Sequence, residues 1–234
     1  MNTAIIVAGG SGTRLGGARA KQFLELAGRP IIAHTLERFE ECAAIHEVVL
    51  VLPAAETARF LQEAGRWGFR KLTRVVAGGP TRAESVWRGL QTIRAATAGV
   101  VAVHDGVRPF VTPEEIALTV TAAEEHGAAV LVAPVVDTIK EIRDGCIVAT
   151  PPRADLRRAL TPQSFRYAIL RRAYEQAGNL SAAATDDSLL VERLGVKVAI
   201  VEGSARNIKI TTPEDLALAA AILDSWSFDC QSKG

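Results

Sequence analysis

Short runs of β-branched and other apolar residues alternate with helical patterns along nearly the whole chain. The runs lie at 4–8, 46–52, 72–76, 100–104, 128–134 and 196–202. When a helical segment separates two strands, the crossover lays the strands parallel in one sheet, with helices covering both faces. This alternation predicts an α/β fold. Residues 1–234 are expected to form a single-domain, Rossmann-like three-layer sandwich with a mostly parallel sheet.

One segment, at about 137–153, breaks the alternation. Two short β-type stretches there flank Asp144-Gly145, a pair typical of a two-residue hairpin turn. A lone two-stranded ribbon has marginal stability, so we expect this protruding β-hairpin arm to pack on another surface. A second copy of the chain is a reasonable partner.

Composition and charge exclude several classes of protein. Apolar residues make up 48% of the 234, and 27 basic residues balance 26 acidic ones. The chain therefore has no overall field that would attract nucleic acid or an anionic membrane. No apolar run approaches the length of a membrane span, about 18 residues. The cysteines Cys42, Cys146 and Cys230 form no C-x-x-C pair, which is typical of a cytoplasmic protein.

The first predicted strand runs directly into a glycine-rich, cationic loop. This loop, Gly9 to Gly16, contains Arg14, and Lys21 follows a few residues later. Glycines allow backbone amides to approach an anion, and the cations supply charge, so the pattern favours a polyphosphate site over a plain tight turn. Leu15 stands where a dinucleotide-binding motif needs its third glycine, and no lysine follows Gly17 as a P-loop requires.

Polar segments also follow several of the other predicted strands. They lie at 78–85, 104–109, 137–138, 153, 161–163 and 207–211. In open α/β sheets, ligands bind at the carboxyl ends of the strands. We therefore expect these segments to converge on the edge of the sheet that carries the glycine loop.

Taken in order, these motifs resemble the 2-C-methyl-D-erythritol 4-phosphate cytidylyltransferase family. They are the glycine loop with Lys21-Gln22-Phe23, Arg82-Ala83-Glu84-Ser85-Val86, His104-Asp105-Gly106 with Arg108-Pro109, Asp137-Thr138 with Lys140, Thr161-Pro162-Gln163, and Ile208-Lys209. The set spans nearly the whole chain. The resemblance implies a fold of the nucleotide-diphospho-sugar transferase type. It also implies transfer of CMP from CTP to a sugar-alcohol phosphate, with release of pyrophosphate, in non-mevalonate isoprenoid precursor biosynthesis.

The resemblance also assigns roles to individual residues. Arg14 and Lys21 are the expected catalytic cations. The expected CTP-binding residues are Ala8, Gly9, Gly10, Gly12, Gly79, Ser85, Asp105 and Gly106. The expected acceptor-phosphate and polyol contacts are Arg108, Thr138, Arg153, Thr185 and Lys209. In the family the arginine of the arm reaches the neighbouring subunit, which implies a homodimer.

Magnesium is the expected cofactor. It would be held mainly by the CTP phosphates, as hard cations often are, with Asp105 as the carboxylate near the metal and ribose. On the residues alone, Asp105 is nearly as well explained as a turn carboxylate. Likewise, Ser85 could simply begin a helix and Arg82 could be a surface cation. His104 is expected to be a packing residue, because the attacking phosphate is already an anion and needs no general base.

Two alternatives remain at the level of function. Gly9 and Val107 depart from the usual pattern of the family and also occur in the related ribitol-5-phosphate cytidylyltransferases, so ribitol 5-phosphate is a second candidate acceptor. A further departure concerns the alignment of Arg153 rather than the acceptor: Thr150-Pro151-Pro152 differs from the residues that usually precede the arginine of the arm. A weaker alternative is a regulatory protein that binds a nucleotide without turnover.

Overall fold

A seven-stranded sheet forms the centre of the molecule. In the computed structural model, residues 1–9, 20–178 and 184–231 are described, the last five by their backbone alone. In chain order the strands are β1 (Thr3–Val7), β2 (Glu25–Leu26), β3 (Arg29–Pro30), β4 (Glu47–Leu52), β5 (Leu72–Ala77), β6 (Val100–Asp105), β7 (Ala128–Pro134), β8 (Glu141–Arg143), β9 (Cys146–Ala149), β10 (Arg157–Arg166) and β11 (Ala199–Glu202). The order across the sheet is β11-β7-β10-β6-β1-β4-β5.

Helices cover both faces of this sheet. They are α1 (Ile31–Glu41), α2 (Ala54–Ala64), α3 (Arg82–Gln91), α4 (Pro113–His126), α5 (Tyr167–Ala177), α6 (Asp187–Glu192) and α7 (Pro213–Gln231). Successive residues of β1 pack on opposite faces of the sheet. Ile6 belongs to the core cluster that contains Phe39 of α1, whereas Ile5 belongs to the cluster that contains Val86 of α3. Side chains alternate across a strand, so a fully apolar strand builds two cores. The predicted three-layer α/β sandwich is confirmed.

One strand of the sheet was not predicted from the sequence. β10 lies antiparallel between β6 and β7, whereas the other four strand pairs of this sheet are parallel. Its pairing with β7 shifts register between Ala159 and Gln163, where a cis peptide precedes Pro162. A proline within an apolar run argues against a central strand, which is why the pattern did not indicate one.

The hairpin arm is confirmed, with shorter strands than its sequence indicates. β8 and β9 pair antiparallel, and Thr138-Ile139-Lys140 lies outside them. Asp144 and Gly145 both have positive φ, 51° and 77°, as a type I′ turn requires. The arm leaves its apolar side chains in solvent, for example Ile142 at 65% and Ile147 at 64% exposure.

Both predicted helix starts carry the expected caps. At α4, Thr112 and Glu115 form a reciprocal capping box ahead of Pro113. At α7, the Thr212 hydroxyl accepts a hydrogen bond from the backbone N–H of Asp215. None of the helices in the described ranges combines the length and apolar character needed to cross a membrane.

Candidate active site

A cavity of about 470 Å³ opens at the carboxyl ends of β1 and β6. We call it the nucleotide cavity. Its lining comprises Val7, Ala8, Gly9, Lys21, Gln22, Gly79, Pro80, Thr81, Arg82, Ser85, Asp105, Val107 and Lys209. Six of the predicted catalytic and CTP-binding residues therefore face one space, together with Lys209 from the predicted acceptor set. Arg14, Gly10 and Gly12 lie outside the described residues.

A second cavity of about 250 Å³ adjoins the first, and we call it the acceptor cavity. The two cavities share Arg82, Asp105 and Lys209. Three predicted acceptor contacts line the second cavity: Arg108, Thr185 and Lys209. The shared residues form a charged wall between the two cavities. A ligand bound in one cavity would therefore lie beside a ligand bound in the other.

Asp105 is the centre of this wall. Its Oδ1 accepts from Arg82 at 3.0 Å, and its Oδ2 lies 2.9 Å from Lys209 Nζ and 3.3 Å from Arg108 Nε. Burial alone would raise the pKa of Asp105, but Arg82, Lys209 and Arg108 together hold it well below its usual range. The carboxylate is therefore ionised at any physiological pH. It organises three cations rather than simply terminating a turn.

Arg82 is not the surface cation that its sequence context favours. Besides Asp105, its guanidinium donates to Asp187 Oδ2 at 2.8 Å. Asp187 is buried at the start of α6 and also accepts from the hydroxyl of Tyr174, at 2.5 Å. Burial lowers the pKa of Arg82, but the two carboxylates outweigh it and raise the value overall. Sequence reasoning missed Asp187 and Tyr174, because neither lies in a motif nor near Arg82 along the chain.

Gln163 belongs to one of the family motifs but has no role assigned from it. In the structure it connects β10 to α6. Its side-chain oxygen accepts from the backbone N–H groups of Asp187 and Ser188, and its amide donates to Asp186. Thr161, two residues earlier, accepts from the backbone N–H of Asp105 at 3.2 Å. The irregular part of β10 thus fixes both carboxylates that hold Arg82. In the sequence, these contacts were indicated only by the Thr161-Pro162-Gln163 motif.

In the turn from Gly79 to Ser85, Ser85 lies at the start of a helix, and its predicted contact with CTP stays a prediction. Ser85 lies in the first turn of α3, and its hydroxyl accepts from Gly79 N and donates to Thr81 O, at 3.1 and 2.9 Å. It also lines the nucleotide cavity. A Cβ on Gly9 would lie 3.2 Å from the Ser85 hydroxyl oxygen. The lack of a side chain at Gly9 therefore avoids a tight contact with this buried hydroxyl.

Gly106 lies behind the cavity rather than in its lining. A Cβ there would come within 2.8 Å of the Ala8 Cβ and 2.9 Å of Ile32 Cδ1. Its N–H donates to Val7 O at 2.8 Å. Gly106 therefore allows the ends of β1 and β6 to approach closely, and its predicted CTP contact stays a prediction.

His104 is a packing residue in the structure. It is fully buried, with hydrogen bonds to the Thr161 hydroxyl and the Arg108 carbonyl, and its ring centroid lies 4.9 Å from that of Phe39. Burial lowers its pKa to about 4. The imidazole is therefore neutral at physiological pH.

Thr138 and Arg153, the predicted acceptor contacts in and beside the arm, do not line either cavity of the described chain. Both are exposed, and Arg153 Nη1 donates to the Val136 carbonyl at 2.7 Å. Their roles stay predictions. Within the described ranges, no group of three or more His, Cys, Asp or Glu side chains could hold a metal ion.

Comparison with known proteins agrees with this geometry. The family model "2-C-methyl-D-erythritol 4-phosphate cytidylyltransferase" matches residues 2–225. Proteins of that name from Syntrophotalea carbinolica and Geobacter metallireducens are each 46% identical to this chain, covering 94% of it and 95% and 96% of their own lengths. A solved structure of 4-diphosphocytidyl-2C-methyl-D-erythritol synthase from Anaerococcus prevotii is similar, with TM-score 0.84, 32% identity and coverage of 95% and 96% of the two chains. This chain therefore belongs to the 2-C-methyl-D-erythritol 4-phosphate cytidylyltransferase family.

Proposed function

We propose that this protein transfers CMP from CTP to 2-C-methyl-D-erythritol 4-phosphate. The products are 4-diphosphocytidyl-2-C-methyl-D-erythritol and pyrophosphate, in non-mevalonate isoprenoid precursor biosynthesis. Beyond family membership, the observation that carries the proposal is the shared wall of Arg82, Asp105 and Lys209 between two cavities. Such a wall suits a reaction that joins a nucleotide to a second phosphate.

The chemistry requires cations rather than a base. An acceptor phosphate oxygen forms a bond to the α-phosphorus of CTP, the bond from that phosphorus to the bridging oxygen breaks, and pyrophosphate leaves with the electron pair. Negative charge concentrates at the reacting phosphoryl group, where fixed cations stabilise the transition state. Lys21 faces this charge from the nucleotide cavity and Arg108 from the acceptor cavity. The buried, neutral His104 has no role in proton transfer.

The residues present fit a magnesium ion carried by the nucleotide. Both oxygens of Asp105 are already engaged with cations. The phosphate oxygens of CTP would then be the main ligands, with Asp105 at most an additional one. When bound there, Mg²⁺ would neutralise phosphate charge and orient the triphosphate.

We further infer a homodimer formed through the arm. The exposed Ile142, Ile147 and Val148 offer an apolar surface for a second copy. In a dimer, Thr138 and Arg153 would reach the acceptor cavity of the neighbouring subunit, which accounts for their position away from both cavities of their own chain. The thiols of Cys42 and Cys146 are free, in keeping with a cytoplasmic enzyme.

The departures from the family pattern at Gly9 and Val107 do not favour ribitol 5-phosphate. Both residues line the nucleotide cavity, and neither lines the acceptor cavity. Their effect is therefore expected on the CTP side, whereas the acceptor is selected by residues around Arg108 and Thr185.

A pyrophosphate-release assay with CTP tests the proposal directly. We expect turnover with 2-C-methyl-D-erythritol 4-phosphate and at least about 100-fold lower kcat/KM with ribitol 5-phosphate. The opposite preference would identify the ribitol enzyme. CTP binding without pyrophosphate release from either acceptor would identify a regulatory protein.

Replacing Lys21 by Ala separates catalysis from binding in the same assay. Because its charge is needed most in the transition state, we expect kcat to fall by about 10²- to 10³-fold with a smaller change in KM for CTP. A change confined to KM would contradict a catalytic role for Lys21.

A further inference from the structure

Gln22 lies beside Lys21 in the wall of the nucleotide cavity, on a firmly anchored turn. The short 3₁₀ turn Lys21–Phe23 is closed by hydrogen bonds from Phe23 N to Ala20 O at 2.9 Å and from Leu24 N to Lys21 O at 3.1 Å. Phe23 is buried in the core against Phe60, with ring centroids 6.4 Å apart. The backbone that carries Gln22 is therefore held at the cavity wall.

The carboxamide of Gln22 is buried and makes no hydrogen bond to the part of the chain that the structure describes. The residue is 0% exposed, and neither Nε2 nor Oε1 has a partner there. Within the described ranges, the other buried side-chain atom in this condition is Asn207 Oδ1. An unpaired buried amide destabilises a protein, and an apolar side chain of similar size would avoid that penalty. An amide at this place is therefore best explained by a partner that arrives with the ligand.

The chemistry of the cavity indicates which part of the ligand this is. Lys21, Arg82 and Lys209 bring positive charge to the same space, which suits the triphosphate. A carboxamide offers both donors and acceptors, whereas phosphate oxygens only accept. A phosphate oxygen can therefore pair with Nε2, and a water that hydrates the phosphates can pair with Oε1. Rotation of the flexible Gln22 side chain towards the cavity would make both contacts.

We propose that Gln22 binds the triphosphate of the nucleotide, with Nε2 donating to a phosphate oxygen and Oε1 accepting from a water of its hydration shell. The inference rests on the proposed function, since it takes CTP as the ligand. It adds a residue outside the sets assigned from the family resemblance.

Calorimetric titration of the full-length protein with CTP and with CMP tests the proposal. For Gln22→Met we expect about tenfold weaker binding of CTP and unchanged binding of CMP, which has the same base and ribose but a single phosphate. The unfolding temperature without nucleotide should stay equal or rise, because a buried unpaired amide has been removed. Gln22→Glu keeps the shape but repels phosphate, so it should weaken CTP binding more than Gln22→Met does.

Gln62→Met on α2 is the matched control, since Gln62 is exposed and should change neither affinity. Equal losses of CTP and CMP affinity in Gln22→Met would place Gln22 against the base or ribose and overturn the proposal. Unchanged CTP affinity with a lower unfolding temperature would also overturn it, by showing a structural role. A wild-type protein that bound CTP but released no pyrophosphate would instead reject the proposed function.

Discussion

Burial and neighbouring positive charge shift the pKa of Asp105 in opposite directions, and the combined effect of the charges is the larger one. The carboxylate pairs with Arg82, Arg108 and Lys209 within 3.3 Å. Removing one member of a buried ionic cluster leaves the others uncompensated, which is far more destabilising than losing an exposed pair. The same three cations are available to a substrate phosphate, so stability and ligand binding are coupled at this residue.

Asp105→Asn should therefore destabilise the protein and make it more responsive to anions. We expect a loss of about 3 kcal/mol in the free energy of unfolding at pH 7. Inorganic phosphate should raise the melting temperature of the variant more than that of the wild type, because the anion replaces the missing charge. Denaturation with and without phosphate measures both effects. Asp144→Asn, in the exposed turn of the arm, is the control, and an equal phosphate response in all three proteins would refute the coupling.

His104 makes the stability depend on pH in a defined window. Its folded-state pKa of about 4 lies below the ordinary 6.5, so between these values the unfolded chain binds more protons than the folded one. Stability should therefore fall as the pH drops from 6.5 towards 4, with a contribution on the order of 3 kcal/mol from this residue. Asp105 adds its own loss at lower pH, below its ordinary 3.8, because its pKa is also lowered.

His104→Gln removes this titration while keeping a polar side chain at the site. We expect the variant to be less stable at pH 7 but to show a flatter dependence of unfolding free energy on pH between 6.5 and 4. Urea denaturation across that range measures the slope. An unchanged slope would show that groups other than His104 control the acid sensitivity.

At the scale of elements, the start of α4 is hydrogen-bonded to the segment that precedes Lys209 in the chain. Glu115 closes the capping box through Thr112 N at 3.0 Å and also accepts from Ser204 N at 2.5 Å. Ser204 follows β11 and precedes Asn207, whose carbonyl holds Arg108 at 2.9 Å. A helix cap thus contributes to the placement of two cations of the site.

Glu115→Gln should loosen this connection. An amide NH2 group, which donates rather than accepts, replaces one of the two accepting oxygens, so one N–H loses its partner and we expect a loss of about 2 kcal/mol in unfolding free energy. The adjacent Glu114→Gln is the control: it is exposed and should cost less than about 1 kcal/mol through its interaction with the helix dipole. Chemical denaturation compares the two, and equal losses would mean that the Ser204 contact contributes nothing.

At the scale of the whole molecule, the predicted acceptor contacts fall into two groups. Arg108, Thr185 and Lys209 belong to the body of the protein, whereas Thr138 and Arg153 belong to the arm region and do not line either cavity. If the proposed dimer forms, each site combines one body with the arm of the other chain.

Mixed dimers test this arrangement. A dimer of one Arg153→Ala chain and one Lys209→Ala chain would contain one intact site and one doubly altered site, so we expect about half of the wild-type activity. Each variant alone should be nearly inactive. Two differently tagged chains allow the mixed dimer to be isolated and assayed. A mixed dimer of Arg108→Ala and Lys209→Ala is the control, because both changes lie in the body and activity should not recover. No recovery in the first mixture would contradict an arm that acts on its neighbour.

Local patterns in the sequence were sufficient for much of this architecture. The six predicted strands lie within a few residues of β1, β4, β5, β6, β7 and β11, and the turn Asp144-Gly145 adopts the expected conformation. Strands, helix caps and turns are determined by the alternation of apolar residues and by residue types within a few positions of one another. They can therefore be predicted without tertiary information. The ordered motifs likewise identified the family and seven residues that now line the nucleotide cavity.

The tertiary structure decided the features that depend on distant residues. The insertion of β10 antiparallel to its neighbours, and the chain from Tyr174 through Asp187 and Arg82 to Asp105, have no local pattern. Arg82 and Asp187 are 105 positions apart, and only the packing of α3 and α6 on the same face of the sheet brings them together. The sequence by itself therefore determined the elements, the family and the residues to examine. The environment of each charge was decided by the fold, because burial and long-range pairing belong to the assembled molecule.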